Sequence, residues 1–308
     1  MIKGVYEVNQ KSVRLDAFLI NEFKSTTRAF VREAVSRGDV LLNGRRTLKG
    51  VKLKCGDVIE IKELLESSDN RVRPSEKIPV RLVFEDDNVL AFNKLPGISV
   101  QPLSCRETDT LMNGVVARYP ECASVGDSPL MAGALHRIDA GTSGLVLVAR
   151  NQDAFANLRG QFAAQNVEKT YLALVEGFVA VGGTLENDLV HDPSLPYCKM
   201  IDVSRLRSND DKIKSFHAVT KFRPIGHTTF VNEERTLLEV TIFTGVTHQI
   251  RAQLAHAGMY IVNDRLYGAF AVEDMVGHCL HALSARFRHP VTGDEMKIVT
   301  DYPAWARL

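Results

Sequence analysis

From residue 79 to the C-terminus, short apolar runs alternate with turn residues, and this pattern limits the folds open to the chain. The runs include VLAFNK, GLVLVAR and KTYLALVEG; they are short for helices, and most are bounded by Gly, Asp, Asn or Pro. Two segments have apolar residues at helical spacing: DAFANLRGQFAAQN, and THQIRAQLAHAG with Thr247 as its expected N-cap. We therefore expect an α+β domain, a mixed and largely antiparallel sheet with flanking helices.

A small α/β module is expected ahead of this domain. Residues 13–62 predict two helices followed by short strands, two of which meet at the Asn43-Gly44 turn that is typical of hairpins. Residues 63–78 are polar, lack periodicity and contain a Pro, so we interpret them as a linker. The predicted organisation is thus 1–62, a linker at 63–78, and a large domain at 79–308.

The positive charge of the chain is concentrated in the N-terminal module. Residues 1–62 hold thirteen Lys and Arg against seven Asp and Glu, a net charge of +6, whereas the whole chain has a net charge of only +1. Arg28 and Arg32 share one helix face, and Arg45 and Arg46 follow the hairpin turn, an arrangement suited to RNA phosphates. Charge alone is equally compatible with an ordinary solvated surface.

Composition and missing motifs exclude several classes of protein. With 45% apolar and 24% charged residues the chain is typical of globular proteins, and no apolar run approaches the ~18 residues of a membrane span. The first residues, MIKGVYEVNQ, lack the apolar core of a signal peptide, and the five cysteines form no CxxC pair. No phosphate-binding loop and no HExxH arrangement occurs. We expect a cytoplasmic protein with no metal and no cofactor.

The segment HRIDAGTSGLVLVAR, residues 136–150, places charged side chains directly before a strongly apolar strand. His136, Arg137 and Asp139 precede a Gly/Thr/Ser/Gly turn that lacks the G-x-S-x-G spacing of a hydrolase. A local ion pair explains this segment when it is taken by itself. Other parts of the chain are needed to choose a functional interpretation.

Five segments taken together resemble a known family. HRIDAGTSGLVLVAR, KTYLALVEG and TGVTHQIRAQLAHAGMYIVNDRLYG resemble, in this order, the three hallmark segments of RluA-type pseudouridine synthases. NKLPGISVQP resembles their first motif and LHALSARFRHPVTG their C-terminal one, so the resemblance covers nearly all of residues 80–304. In the N-terminal module, VRLDAFLI, GDVLLNGRR and LKCGDVIEI resemble the S4 RNA-binding domain.

The resemblance implies an RNA-modifying isomerase that converts uridine to pseudouridine in structured RNA. Ribosomal RNA of the large subunit (23S) is the expected substrate, with transfer RNA as the alternative. The reaction only rearranges the nucleotide and needs no cofactor. We expect the enzyme to be monomeric and to have no membrane partner.

The resemblance also implies roles for particular side chains. Asp139 is the essential carboxylate at the ribose, and Arg251 is its electrostatic partner, since Arg can form a two-point fork with a carboxylate. Tyr171 stacks on the target uracil, and Arg137 occupies the space left by the flipped base. Lys94 is expected to meet phosphate or to help shape the cleft.

The chain departs from the family pattern at positions near these motifs. Val246 stands where the family usually has Arg, Asn263 where it commonly has Gly, and Leu95 where it usually has Pro. Asn tolerates the positive backbone angle of the Gly that it replaces. Two rival functions remain: a non-catalytic RNA-binding or ribosome-assembly factor, and a nucleosidase that would release free uracil with the same carboxylate.

Overall fold

The computed structural model divides into two compact units, Met1–Arg71 and Val72–Leu308. The boundary falls inside residues 63–78, the predicted linker. Leu64 and Leu65 are buried in the first unit and Val72 is buried in the second, so part of this segment belongs to each core. The structure describes residues 1–9, 13–195, 199–206, 213–230 and 233–307.

The first unit is a four-stranded sheet with two helices. The strand order is β1-β4-β2-β3, and Asn43 and Gly44 both take positive φ in the turn between β2 and β3, as their sequence predicts. The N-terminal strand β1 was not expected, because none of its residues is fully buried and the apolar pattern is correspondingly weak. The elements are β1 (Ile2–Glu7), α1 (Leu15–Glu22), α2 (Arg28–Arg37), β2 (Val40–Leu42), β3 (Arg45–Arg46) and β4 (Val58–Leu64).

The second unit is built on a ten-stranded sheet and contains three α-helices among its described residues. The strands are β5 (Leu82–Glu85), β6 (Val89–Lys94), β7 (Ser143–Ala149), β8 (Glu168–Glu176), β9 (Gly183–His191), β10 (Met200–Asp202), β11 (Phe216–Phe230), β12 (Glu233–Ile242), β13 (Leu280–Arg288) and β14 (Glu295–Val299). The helices are α3 (Leu111–Arg118), α4 (Gln152–Ala163) and α5 (Gln249–His256).

The strand order of this sheet is β10-β9-β11-β12-β8-β13-β7-β6-β5, with β14 paired to β13. The pairing of β13 with β7 is parallel, and the other strand pairs are antiparallel. The expected α+β fold with a mixed, largely antiparallel sheet is therefore confirmed.

No helix within the described residues is long and apolar enough to cross a membrane. Cys55, Cys122 and Cys279 are free thiols, and Cys198 lies outside the described residues.

Helix α5 begins differently from the sequence prediction. The residue before its first turn is His248, with a left-handed backbone (φ 53°), and not Thr247. The side chain of Gln249 binds the loop before the helix instead. Its Oε1 accepts a hydrogen bond from the Val246 backbone N–H and another from the Thr244 hydroxyl. The predicted Thr247 cap is therefore wrong, because a glutamine inside the helix satisfies the preceding loop.

The central strands carry the functional segments to one place. Strand β13 lies between β7 and β8, and every residue of β7 is buried. Asp139 lies four residues before β7, in a turn closed by a hydrogen bond from the Thr142 N–H to the Asp139 carbonyl. Tyr171 lies on β8 opposite Ala282 of β13. The packing of these three adjacent strands therefore fixes the positions of Asp139 and Tyr171.

The parallel contact between β7 and β13 requires a glycine. Gly144 has φ 110°, and a Cβ added there would lie 2.2 Å from the Ala282 carbonyl oxygen. That distance is far shorter than van der Waals contact, and the opposing atoms are backbone. A side chain at position 144 would push the two strands apart directly behind the turn that carries Asp139.

We predict that Gly144→Ala lowers the free energy of unfolding by about 2–5 kcal/mol, through steric overlap with Ala282 and backbone strain at positive φ. The matched control is Gly160→Ala in α4, where a Cβ meets nothing within 4 Å. That change should stabilise the protein by about 0.5–1 kcal/mol, because Ala favours a helix interior over Gly. Denaturant unfolding of both variants measures this, and equal stability of the two would contradict the close approach.

Candidate active site

An open cleft of about 830 Å³ in the second unit brings together segments that are distant in sequence. Residues 134–139, the end of α4, the start of β8 and residues 242–251 all contribute to its wall. Of the residues predicted to act at the substrate, Arg137, Asp139, Tyr171 and Arg251 line this cleft. The exception is Lys94.

Arg251 binds two carboxylates. Its Nη1 donates to Asp139 Oδ2 at 2.8 Å, while its Nε and Nη2 donate to the two oxygens of Asp264 at 2.7 and 2.8 Å. The two-point fork therefore joins Arg251 to Asp264, and Asp139 receives a single hydrogen bond. The side chain of Asp264 is 2% exposed and that of Asp139 is 25% exposed, so the fork lies in the core and the single contact lies at the cleft.

The charges around Asp139 keep its carboxylate ionised. Burial by itself would raise the pKa of Asp139. The nearby charges of His248 (when its ring is protonated) and Arg251, together with the Arg251 hydrogen bond, outweigh burial and leave that pKa below its ordinary value. The pKa of Arg251 is raised: burial opposes this, and the paired carboxylates Asp264 and Asp139 outweigh it. The pair is therefore charged across the physiological pH range.

One oxygen of Asp139 remains available to a ligand. Oδ2 accepts the hydrogen bond from Arg251. Within the described part of the chain, Oδ1 accepts no hydrogen bond. An anionic oxygen at the wall of a cleft, fixed by a guanidinium at the opposite oxygen, can act as a base or as a nucleophile.

Tyr171 lies on the cleft wall as an uncharged phenol. Burial, and then the negative charge of Asp139, raise the pKa of its hydroxyl. The residue is 7% exposed and borders the same cleft as Asp139. Its hydroxyl therefore keeps its proton at neutral pH.

Two other predicted positions on the cleft differ in exposure. Arg137 is exposed, and its guanidinium donates to no group within the described ranges. His136 is held in the protein: its Nε2 accepts from the Leu147 N–H at 3.0 Å and its ring stacks on Phe162. Burial, and then the charges of Lys169 and Arg159, lower the pKa of His136 to about 3, so its ring is neutral. Arg137 is thus free to meet a ligand, whereas His136 supports the wall.

The expected contact between Lys94 and RNA phosphate is wrong. Lys94 is 1% exposed, and its Nζ donates to the carbonyls of Leu95 and Ile98 at 2.8 Å and of Ala140 at 3.1 Å. Three carbonyls match the three donors of an ammonium group. Burial lowers the pKa of Lys94 to about 7, and the charge of Asp139 opposes that shift. Lys94 therefore ties the motif that contains it to the turn next to Asp139.

The four predicted phosphate-binding arginines lie in the first unit. Arg28 and Arg32 are exposed one turn apart on α2, and Arg45 is exposed on β3. Arg46 is also exposed, but its Nη2 donates to the Arg37 carbonyl at the end of α2. Arg46 is thus partly occupied by a contact within the fold. The other three side chains form no hydrogen bond or ion pair within the described residues.

Two departures from the family pattern have a physical explanation. Val246 is partly buried and packs against the apolar cluster that contains Ala252 and Tyr267, so an apolar contact occupies the position of the usual Arg. Asn263 has φ 64°, as expected for a residue that replaces Gly, and its side-chain amide donates to the Met275 and Gly277 carbonyls. Neither departure disturbs the Asp139–Arg251 pair.

Several side chains at the site were missed by sequence reasoning. Asp264 follows Asn263 in a segment already assigned to a motif, and its acidic side chain was the feature that could have indicated a role beside Arg251. His248 and Tyr267 form a hydrogen bond at 3.1 Å beside Asp139, and Phe162 lines the cleft with Lys169 above its ring. Spacing along the sequence does not reveal these contacts. Among the described residues, no group of three His, Cys, Asp or Glu side chains is arranged to hold a metal ion.

Comparisons with known proteins agree with this geometry. Residues 88–256 match the family described as RNA pseudouridylate synthase. The chain is 30% identical over 303 residues to ribosomal large subunit pseudouridine synthase D of Xanthomonas campestris pv. campestris, covering 94% of this chain and 86% of that protein. It is 29% identical to the uncharacterized RNA pseudouridine synthase YlyB of Bacillus subtilis, covering 96% and 92%.

A solved structure has the same fold. Human RNA pseudouridylate synthase domain containing 1 superposes with a TM-score of 0.60 at 21% sequence identity, covering 75% of this chain and 87% of that one. At this identity the match shows the fold alone. The chemistry is carried by the side chains in the cleft.

We predict that Lys94→Met lowers the free energy of unfolding by about 2–4 kcal/mol, because the Leu95 and Ile98 carbonyls lose the donor of Lys94 and the Ala140 carbonyl keeps only the Gly97 N–H. Lys77→Met is the matched control, since Lys77 is exposed and should change stability by less than about 0.5 kcal/mol. Denaturant unfolding of the two variants checks this. If Lys94→Met were as stable as the control, the assignment of Lys94 to the interior would be wrong.

Proposed function

Since the chain belongs to the RNA pseudouridylate synthase family, we propose that it isomerises uridine to pseudouridine in ribosomal RNA of the large subunit. The observation that carries this proposal is the ionised Asp139 at the cleft, with one oxygen bound by Arg251 and the other open. The name of the relative from Xanthomonas campestris supports ribosomal RNA as the substrate class.

The chemistry needs a carboxylate at the ribose. The N1–C1′ bond of uridine breaks, the uracil turns, and C5 bonds to C1′, while C5 loses a proton and N1 gains one. Nothing enters or leaves the overall equation, so the protein supplies only binding, orientation and proton transfer. Asp139 either attacks C1′ or removes the C2′ proton, and both routes need it to be anionic and shielded from water. Its low pKa meets the first requirement, and a nucleotide bound in the cleft would cover its 25% exposed side chain and meet the second.

Tyr171 and Arg137 would hold the target nucleotide outside its helix. The neutral ring of Tyr171 would stack on uracil, a contact worth ~1–3 kcal/mol per base that tolerates rotation of the base. A flipped base leaves a gap in its stem, and unstacking costs a few kcal/mol. Arg137 is exposed and unpaired within the described residues, as a side chain that enters this gap must be.

The first unit is proposed to bind structured RNA as an S4-like module. Its net positive charge and the exposed side chains of Arg28, Arg32 and Arg45 are suited to backbone phosphates. Arg46 would contribute less, because it already donates to the end of α2. A monomeric state and a cytoplasmic location stay predictions.

The first test maps pseudouridine in total RNA from cells with and without the gene. At least one site should disappear on deletion and return with the wild-type gene. Asp139→Asn should not restore it, with a rate lowered by at least about 100-fold, because the amide is neither anionic nor basic. The control Asp127→Asn changes an exposed carboxylate in the same unit and should restore every site.

If deletion removes no pseudouridine, the protein does not have this activity. If Asp139→Asn restores all sites at the wild-type rate, the proposed role of Asp139 is wrong. Release of free uracil in place of pseudouridine would favour the nucleosidase.

The second test concerns the first unit. Replacing Arg28, Arg32 and Arg45 together by Ala should weaken RNA binding and reduce the slope of log K against log salt concentration by about 2–3, one for each lost phosphate contact. Lys297→Ala, at an exposed position on β14, should leave the slope unchanged. A triple variant with the wild-type salt slope would contradict phosphate binding by this unit.

A further inference from the structure

His248 is an imidazole beside the catalytic carboxylate that the reaction scheme above does not use. Its Nε2 lies 3.8 Å from Asp139 Oδ2, and its side chain is 16% exposed on the cleft wall. The residue has a left-handed backbone with φ 53°, an uncommon conformation for a residue other than Gly. Such backbone strain is found preferentially at functional sites.

Tyr267 holds the opposite side of this ring. The Tyr267 hydroxyl lies 3.1 Å from His248 Nδ1, and it accepts a hydrogen bond from the Met200 backbone N–H at 2.9 Å. Burial raises the pKa of Tyr267, so the hydroxyl keeps its proton. The guanidinium of Arg251 lies 5.0 Å from the centroid of the Tyr267 ring. The group that orients His248 is therefore fixed by the same arginine that binds Asp139.

The surroundings of the ring select its protonation. Burial lowers the pKa of His248, while Asp139 opposes that shift, so the ring is neutral and has a single N–H. The Asp139 carboxylate only accepts hydrogen bonds, and it would repel a lone pair on Nε2. The Tyr267 proton has two acceptors within reach, His248 Nδ1 at 3.1 Å and the Met200 carbonyl at 3.2 Å. Donation to Nδ1 leaves the ring proton on Nε2, facing Asp139.

A donor and an acceptor 3.8 Å apart are too distant for a direct hydrogen bond, but one hydroxyl oxygen can lie within about 2.8 Å of both. Such a hydroxyl would accept from His248 Nε2–H and donate to Asp139 Oδ2. The ribose 2′-hydroxyl has this combination, and it is the group by which proteins distinguish RNA from DNA. Asp139 acts at C1′ or C2′, next to this hydroxyl.

We propose that His248 and Asp139 together bind the 2′-hydroxyl of the target uridine, and that Tyr267 positions His248 for this contact. His248 is then the residue that makes the cleft specific for a ribonucleotide. The inference rests on the proposed function, because it places the ribose of the target uridine at Asp139. It adds a binding role that neither the reaction nor the Asp139–Arg251 pair requires.

The first experiment needs no RNA. In protein with 15N-labelled histidine at neutral pH, long-range 1H–15N spectra should show His248 with its proton on Nε2, the signals being assigned by their loss in His248→Ala. Tyr267→Phe should shift this tautomer toward Nδ1–H, because it removes the hydroxyl and keeps the ring. A wild-type spectrum with the proton on Nδ1 would overturn the proposal, since no donor would then face Asp139.

The second experiment measures binding of an RNA hairpin that contains a uridine found by the mapping above. Its partner is the same hairpin with 2′-deoxyuridine at that position. The Asp139→Asn background prevents conversion and keeps an acceptor oxygen at residue 139. The Kd of the 2′-deoxyuridine hairpin divided by the Kd of the uridine hairpin measures the contribution of the 2′-hydroxyl to binding.

We expect His248→Ala to reduce this ratio by about fivefold, the effect of one hydrogen bond, mainly by weakening binding of the uridine hairpin. Tyr267→Phe should reduce the ratio in the same direction. The control His217→Ala should leave it unchanged, because His217 lines the cleft but its ring nitrogens face the carboxylates of Glu186 and Asp188. A merely structural role of His248 would weaken both hairpins equally.

The outcomes separate the two proposals. If mapping finds a site that depends on Asp139 but His248→Ala leaves the Kd ratio at its value in the Asp139→Asn background, the proposed function stands and 2′-hydroxyl recognition by His248 is wrong. If mapping finds no dependent site, the proposed function is wrong and the inference falls with it.

Discussion

The site depends on one guanidinium that is shared between two carboxylates. A buried arginine is costly unless its charge is paired and its donors are satisfied. Asp264 pairs the charge of Arg251 and accepts from its Nε and Nη2 with a two-point fork in the core. The third nitrogen, Nη1, is thereby held at a fixed position facing Asp139. Asp139 does not have to anchor its partner and keeps an oxygen for the substrate. A simple pair would have placed the fork on the reacting group itself.

The turn that carries Asp139 is fixed from several sides. Lys94 holds the Ala140 carbonyl from the end of β6, and Gly144 allows β7 to approach β13 closely directly after the turn. His248 faces the carboxylate from the start of α5. These contacts come from elements far apart in sequence, so the position of Asp139 depends on the folding of the sheet and helix α5 together. Catalytic groups placed in this way lose little freedom when substrate binds.

The sequence predicted the central strands, helices α4 and α5 and the motifs, but not β1, helix α3 or the pairing of the motif side chains. Alternating apolar runs predicted the central strands, and ordered motifs indicated Asp139, Tyr171 and Arg251 as neighbours. Lys94 was expected at the surface because Lys is rarely buried, and only the three carbonyls around its ammonium explain its burial. The fork of Arg251 was expected at Asp139 and lies at Asp264, because spacing along the sequence does not show which carboxylate meets the guanidinium in the core.

The central claim is that Arg251 keeps Asp139 anionic against the effect of burial. The direct measurement is an NMR pH titration of the side-chain carboxyl carbon of Asp139, assigned by its loss in Asp139→Asn, over the range in which the protein remains folded. We expect the pKa to lie below that of an ordinary aspartate in the wild type and to be clearly higher in Arg251→Met, where the charge and the hydrogen bond of Arg251 no longer oppose burial. A wild-type pKa at or above the ordinary value, or a pKa unchanged in Arg251→Met, would contradict the account.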